Sequence, residues 1–247
     1  MTIRQVNNAL DLLEFFAQTK KPASLAEIHR HFEWPRSSTY NILSTLVDRG
    51  YMYEPSRRGG YYPTPRWLRL AETLTAADQM NEQLSDLLRR VASETGETAI
   101  IAAPAGRYSV YLDVIESPSP IRYAGHVGKR IPIHAGASGR ALLSLNSPSE
   151  RQSILRKVSF ERYGSNALTS VEAVEHEIRI SRNRGWFQSI HEYDADLAAV
   201  AIPLTVDERR LAIVVAGPVY RVGEQCGEIA TTLRRLVDTN LDLETSD

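Results

Sequence analysis

The chain of 247 residues carries a single cysteine, Cys226. That excludes an internal disulfide and any cysteine-rich zinc module, and it fits a reducing, cytoplasmic setting. Long hydrophobic runs are missing as well. Nothing approaches the roughly 18 consecutive apolar residues of a membrane span, and residues 1–20 lack the basic start and apolar centre of a secretion signal. The chain is therefore expected to be soluble and unprocessed, without a membrane partner. Internal repeats and low-complexity segments are also absent. With 43% hydrophobic and 24% charged residues, global disorder is not expected. The length allows one large domain or two smaller ones.

Neither sign of charge is in marked excess, since the formal net charge is −1. The balance is nevertheless uneven along the chain. Residues 1–66 hold nine Lys and Arg against six Asp and Glu, a net +3, whereas 67–247 hold twenty against twenty-four, a net −4. The basic excess falls on the segment whose pattern, below, suits a nucleic-acid partner.

Helical spacing of Val6, Ala9, Leu10, Leu13, Phe16 and Ala17 predicts a first helix over about 3–18, ended at Lys20-Lys21-Pro22-Ala23. Ser24 stands three residues before Glu27, a capping-box pattern, and opens a second helix with Leu25, Ile28 and Phe32 as its buried stripe. Pro35 suits the first turn of a third helix, and Gly50 its end. On that helix Thr39, Ile42, Leu43, Leu46 and Val47 fall on one side, while Ser37, Asn41, Thr45 and Asp48 fall on the other. Two aromatic segments, Tyr51–Tyr53 and Tyr61–Tyr62, then flank an Arg57-Arg58-Gly59-Gly60 loop, which reads as a β-hairpin.

From Trp67 the pattern changes. Trp67, Leu70, Leu74, Ala77, Asn81, Leu84, Leu88 and Val91 follow alternating steps of three and four, the spacing of a coiled-coil seam with Asn81 as its one polar position. The same spacing suits two consecutive helices packed on a domain core, with a bend near Ala77-Asp78. After Gly96, β-rich runs at 98–103, 108–115, 199–204 and 211–216 alternate with helical ones at 136–145, 169–184 and 223–241. A Thr169/Glu172 capping box opens the second of those helices and Gly185 stops it. This predicts an α/β (α+β) domain, mainly an antiparallel sheet with helices on its faces.

Helix, turn, helix and basic hairpin within about forty residues suit a module whose third helix enters the major groove of double-stranded DNA while the hairpin follows the backbone. Small polar side chains allow close approach to base edges, and Asn41 could pair bidentately with adenine. Arg36, Arg57 and Arg58 would contact phosphate. A winged helix used for protein contact, or a small bundle whose polar face meets water, would leave the same pattern.

The stretch SLAEIHRHFEWPRSSTYNILSTLVDRGYMY resembles the N-terminal domain of the IclR family of bacterial transcriptional regulators. Residues 114–145 (VIESPSPIRYAGHVGKRIPIHAGASGRALLSL) and 182–204 (RNRGWFQSIHEYDADLAAVAIPL) resemble two signature stretches of that family's effector-binding domain. The resemblance implies a winged helix-turn-helix over 1–66, a linker helix over 67–78 and a GAF-like effector-binding and oligomerisation domain over 79–247, assembled as a homodimer or homotetramer on DNA. The family's recognition pattern, roughly Lys-Ser-Thr-x-Tyr-Arg, stands here as Arg36-Ser37-Ser38-Thr39-Tyr40-Asn41. Candidate DNA-binding residues are therefore these six with Thr45, Arg57 and Arg58.

Effector contacts are implied at Gly136, Ala137, Ser138, Ser189, Ala199 and Ala216. The first three also make physical sense, because free N–H groups at a helix start attract a carboxylate. At the last three the family commonly shows Asp, Cys and Ser. The missing polar groups favour a small organic acid that is aromatic or longer-chained.

Enzyme signatures fail where they nearly appear. His191-Glu192-Tyr193-Asp194-Ala195 has Ala where a zincin needs its second His, and is read as a solvated loop. Gly136-Ala137-Ser138-Gly139-Arg140 ends in Arg and not in the Gly of a nucleophile elbow. No catalytic residue, metal or cofactor is expected. The expected function is a ligand-responsive regulator, more in keeping with a repressor, on a near-palindromic operator. An enzyme or a protein-interaction module carrying a winged helix stands as the alternative.

Overall fold

The computed structural model describes residues 3–55, 60–76 and 79–240, which divide into two compact units, Met1–Gln79 and Met80–Asp247. The first holds α1 (Arg4–Thr19), α2 (Leu25–Phe32), α3 (Arg36–Asp48), a short antiparallel pair β1 (Met52–Tyr53) and β2 (Tyr62–Pro63), and α4 (Arg66–Ala76). Leu12, Phe16, Ile28, Trp34, Ile42, Leu43 and Met52 form its core. The predicted capping box is present: Ser24 Oγ accepts from Glu27 N–H, and the Glu27 carboxylate accepts from Ser24 N–H at 2.7 Å. Pro35 sits at the N-cap of α3, one position earlier than expected. Gly50, at φ 71°, ends that helix in a Schellman arrangement, with Gly50 N–H donating to Val47 O and Tyr51 N–H to Leu46 O.

The second unit is built on a six-stranded, wholly antiparallel sheet in the order β5-β4-β3-β8-β7-β6. Its strands are β3 (Thr98–Ala105), β4 (Tyr108–Ile115), β5 (Arg130–Pro132), β6 (Phe187–Ile190), β7 (Leu197–Val206) and β8 (Arg209–Pro218). Central strands are buried on both faces, which is why they read as unbroken apolar runs. Ala99, Ile101, Ile213 and Val215 meet α5 (Gln79–Thr95) and α10 (Cys226–Asn240). Their alternate neighbours Ile100, Ala102, Val214 and Ala216 lie on the other face, in one core with α6 (Ala137–Ser144), α7 (Pro148–Leu155) and α8 (Val171–Arg184). A single turn, α9 (Val219–Val222), links β8 to α10.

The 67–91 spacing divides between the two units. Leu84, Leu88 and Val91 are buried in the α/β core, so that half of the pattern is a packing stripe and not a free seam. Leu70 and Leu74 on α4 are exposed. The expected bend at 77–78 and the hairpin tip at 56–59, with Arg57 and Arg58, lie outside the described residues, as does the side chain of Asn81. Ser170, not Thr169, caps α8: its extended backbone lets Oγ accept from Ala173 N–H. The C-terminal helix starts at Cys226, after the separate turn, and not at Gly223. No helix among the described residues is long and apolar enough to cross a membrane.

Candidate functional site

In the first unit, α3 sets its apolar side into the core and offers the rest outward. Ser37, Tyr40, Asn41, Thr45 and Arg36 are exposed, and Ser38 is half-buried. Arg36, Ser37 and Asn41 make no side-chain hydrogen bond or ion pair among the described residues, so their donors and acceptors are available to a ligand. Thr39 is different. It is 1% exposed, and its hydroxyl donates to Pro35 O at 3.1 Å. Helical periodicity turns position 39 inward between 42 and 43, so Thr39 cannot present its hydroxyl to DNA as its place in the family pattern suggested. Thr45 Oγ1 donates to Asn41 O at 2.7 Å but stays exposed as an acceptor. The guanidinium groups of Arg49 and Arg66 gather over the Tyr51 ring, at 5.9 and 4.8 Å from its centroid. They add a basic surface beside the end of α3 that apolar periodicity gave no reason to single out.

In the second unit, the six effector candidates come together on one face of the sheet. Ser189 pairs with Ala199, and Ala199 with Ala216, so the three stand side by side across β6, β7 and β8. Thr98 continues the row on β3. α6 packs over β7 and β8, with Gly136 as its N-cap and no side chain capping its first turn. Gly136, Ala137, Ser138, Ser189 and Ala216 are buried, and Ala199 is half-buried. Gly139 permits this approach: a Cβ there would stand 2.0 Å from Ile133 O.

An open cleft of about 420 Å³ lies in the same unit. Its walls are the β4–β5 connection around Tyr123 and Lys129, the β6–β7 connection from Tyr193 to Leu197, and Pro218–Tyr220. None of the six candidates lines it. Tyr123 and Tyr193, however, also pack against the core cluster that holds Ala137 and Ala216. Thr98 Oγ1 donates to Tyr123 O at 2.7 Å and ties that connection to the sheet. The Tyr111 and Tyr123 hydroxyls lie 3.0 Å apart, and burial pushes the Tyr111 phenol far above its usual range. Tyr123 and Tyr193, with Lys129, are pocket residues that sequence reasoning missed, because the connections that carry them have no periodic pattern.

The two near-miss motifs meet each other. Arg140, fully buried on α6, pairs with both Glu192 oxygens and also donates to His134 O and Gln188 O. The 191–196 segment is therefore not simply a solvated loop, since Glu192 turns into the core. Burial raises the Glu192 carboxyl against the opposing pull of Arg140. Burial lowers the His134 imidazole, with the Glu161 backbone acting the other way. Among the described residues no group of His, Cys, Asp and Glu is placed to hold a metal ion. Cys226 is buried and burial raises its thiol, so it is not an activated nucleophile.

Comparison with known proteins bears on both units. Residues 5–55 match the IclR helix-turn-helix domain, and residues 72–241 match the bacterial transcriptional regulator IclR C-terminal domain. The chain is 28% identical over 224 residues to the HTH-type transcriptional regulator BhcR of Paracoccus denitrificans, covering 90% of this chain and 80% of that one. It is 21% identical over 224 residues to the transcriptional repressor IclR of Escherichia coli, covering 89% and 82%. Its fold is similar to the crystal structure of an IclR homologue complexed with 4-hydroxybenzoate from Microbacterium hydrocarbonoxydans. There the TM-score is 0.71 at 20% identity, with 95% of this chain and 99% of that chain covered.

Proposed function

The chain belongs to the IclR family of bacterial transcriptional regulators, and from that premise we propose that it reads a near-palindromic operator as a dimer or tetramer and changes its grip when a small organic acid binds. It is a DNA-binding transcriptional regulator and not an enzyme, as its family is. The winged helix-turn-helix occupies 1–66, the linker helix 67–78 and the effector and assembly domain 79–247. Repression is the mode in keeping with the relatives, and the cytoplasm is where the operator lies.

The observation that carries the proposal is the outer face of α3, where Ser37 and Asn41 are exposed and have no side-chain partner among the described residues. Ser37, Ser38 and Asn41 reach base edges, Tyr40 and Thr45 flank them, and Arg36, Arg57 and Arg58 contact phosphate. The effector settles against Gly136, Ala137 and Ser138, where the uncapped start of α6 attracts a carboxylate, and against the Ser189, Ala199 and Ala216 row. The methyl groups at 199 and 216 favour an aromatic or longer-chained acid. A ligand that prefers one of two conformations by about 1–3 kcal/mol shifts operator affinity roughly 5–150-fold.

Sequencing of genomic fragments retained by the purified protein at moderate salt tests the first half. One or a few enriched near-palindromic sites are expected. No retention of DNA at low or moderate salt would remove the operator reading and leave a winged helix that contacts protein.

A further inference from the structure

We infer that the open cleft of the second unit recognises an aromatic amino acid as a zwitterion, a deepening that rests on the reading of this unit as effector-binding. The cleft carries charge of both signs on different chain segments. Arg122 and Lys129 come from the β4–β5 connection, and Asp194 and Asp196 from the β6–β7 connection. Two of the four are already answered. Arg122 donates to Glu116 at 2.8 Å, and the Asp194 carboxylate accepts from Asp196 N–H at 3.1 Å.

Lys129 and both aspartates have no ion pair among the described residues, and of the two carboxylates only that of Asp194 has even a backbone partner. The Lys129 ammonium stands 4.5 Å from the centroid of the Tyr123 ring and forms no ion pair among the described residues. The Asp196 carboxylate has no hydrogen bond or ion pair there either. One cation and two carboxylates thus line a single cleft with no ion pair among the described residues, and the Asp196 carboxylate is the one without any hydrogen bond there.

A simple carboxylic acid would satisfy Lys129 and leave its own negative charge to face Asp196. A simple amine would do the reverse. An amino acid presents both charges on one carbon, and its ring has the aromatic side chains of Tyr123, Tyr193 and Tyr220 in the cleft lining. The volume, about 420 Å³, falls within the usual range for small ligands of roughly 300–1,000 Å³.

Calorimetric titration of the full chain with L-tyrosine, L-phenylalanine and L-tryptophan tests the inference, beside two truncated analogues. These are 3-(4-hydroxyphenyl)propionate, which lacks the ammonium, and tyramine, which lacks the carboxylate. Binding of at least one amino acid is expected. Where it is L-tyrosine, both analogues are weaker by about tenfold or more, the loss of one charge-assisted contact. Lys129→Met removes the advantage over tyramine, and Asp196→Asn the advantage over the propionate. Thermal unfolding of each variant checks that it is folded.

A propionate that binds as tightly as L-tyrosine overturns the zwitterion and leaves an organic-acid effector in force. Failure of all three amino acids overturns the inference outright. Operator binding measured with the organism's metabolite extract then separates the two levels, because an extract that alters it preserves the effector reading and an inert extract counts against both.

Discussion

Arg140 and Glu192, 52 positions apart, form a two-point ion pair inside the second unit, with the arginine side chain wholly shielded from solvent. The pair joins α6, which carries Ser138, to the β6–β7 connection just beyond the strand that carries Ser189. Arg140→Met strands a buried carboxylate and is expected to cost about 3–5 kcal/mol in urea unfolding. Adding Glu192→Leu removes that stranded charge, so the double variant loses clearly less than the sum of the single losses. Additive losses would mean that the two side chains do not act together.

His134 gives this unit a pH dependence with a definite sign. Burial lowers its folded pKa below the ordinary 6.5. The unfolded chain therefore binds a proton that the folded chain resists as pH falls through that value. Stability drops on acidification in this window, by at most about 1.4 kcal/mol per pH unit for one proton. His134→Phe suits the aromatic contacts with Phe160 and Tyr163, at 4.9 and 6.2 Å. It should flatten the dependence between pH 5 and 7, and an unchanged slope would place the effect elsewhere.

Much of the architecture was legible because periodicity carried it. The stripe of α3 follows from residues that repeat at 3.6, and β3 and β8 show as short unbroken apolar runs. Where the pattern was short or carried by charge, it was missed. α7 opens with Ser147 and Glu150 in the same capping box as Ser24 and Glu27, yet only Arg151 and Leu155 of its residues are buried, too thin a stripe to attract notice. β5 and β6 are three and four residues long. Glu192 was read as part of a solvated loop because charged residues are seldom buried without a partner, and its partner Arg140 lay far away in the chain. The candidate effector row came from family resemblance, since no periodicity marks an alanine as pocket-lining.

Gly139→Ala inverts the usual helix rule. Within a helix this change ordinarily adds about 0.5–1 kcal/mol of stability. Here the new methyl would lie 2.0 Å from Ile133 O, a backbone atom that cannot swing aside. α6 must move away from the 133–136 turn, and a loss of about 1–3 kcal/mol is expected. Unfolding midpoints decide it, and a stabilised variant would show that α6 has room to shift.

Asn41→Ala and Thr39→Val separate the two sides of α3. Asn41 is exposed and its side chain has no partner among the described residues, so its loss should leave stability within about 0.5 kcal/mol. On the proposed reading it weakens the selected operator by about 1–3 kcal/mol, mainly at one base pair. Thr39→Val removes the bond to Pro35 O and should cost about 0.5–1.5 kcal/mol of stability. Its base preferences should be those of the parent. Fragment selection with each variant checks both, and a changed preference in Thr39→Val would contradict the inward placement.

Assembly is the remaining expectation that a surface can test. On α4, Leu68, Leu70 and Leu74 are 61%, 41% and 69% exposed, and on α1 Ile3, Val6 and Leu10 stand out at helical spacing. Apolar side chains repeated along a helix are costly to leave in water, and a second copy can cover them on the proposed dimer reading. Leu74→Glu places a charge where the seam would close. Light scattering after size exclusion should then report a smaller assembly at micromolar concentration. Operator affinity should fall with it, because a single head gives up the gain from binding two half-sites at once. A variant that keeps the parent's mass and affinity would show that copies associate through another surface.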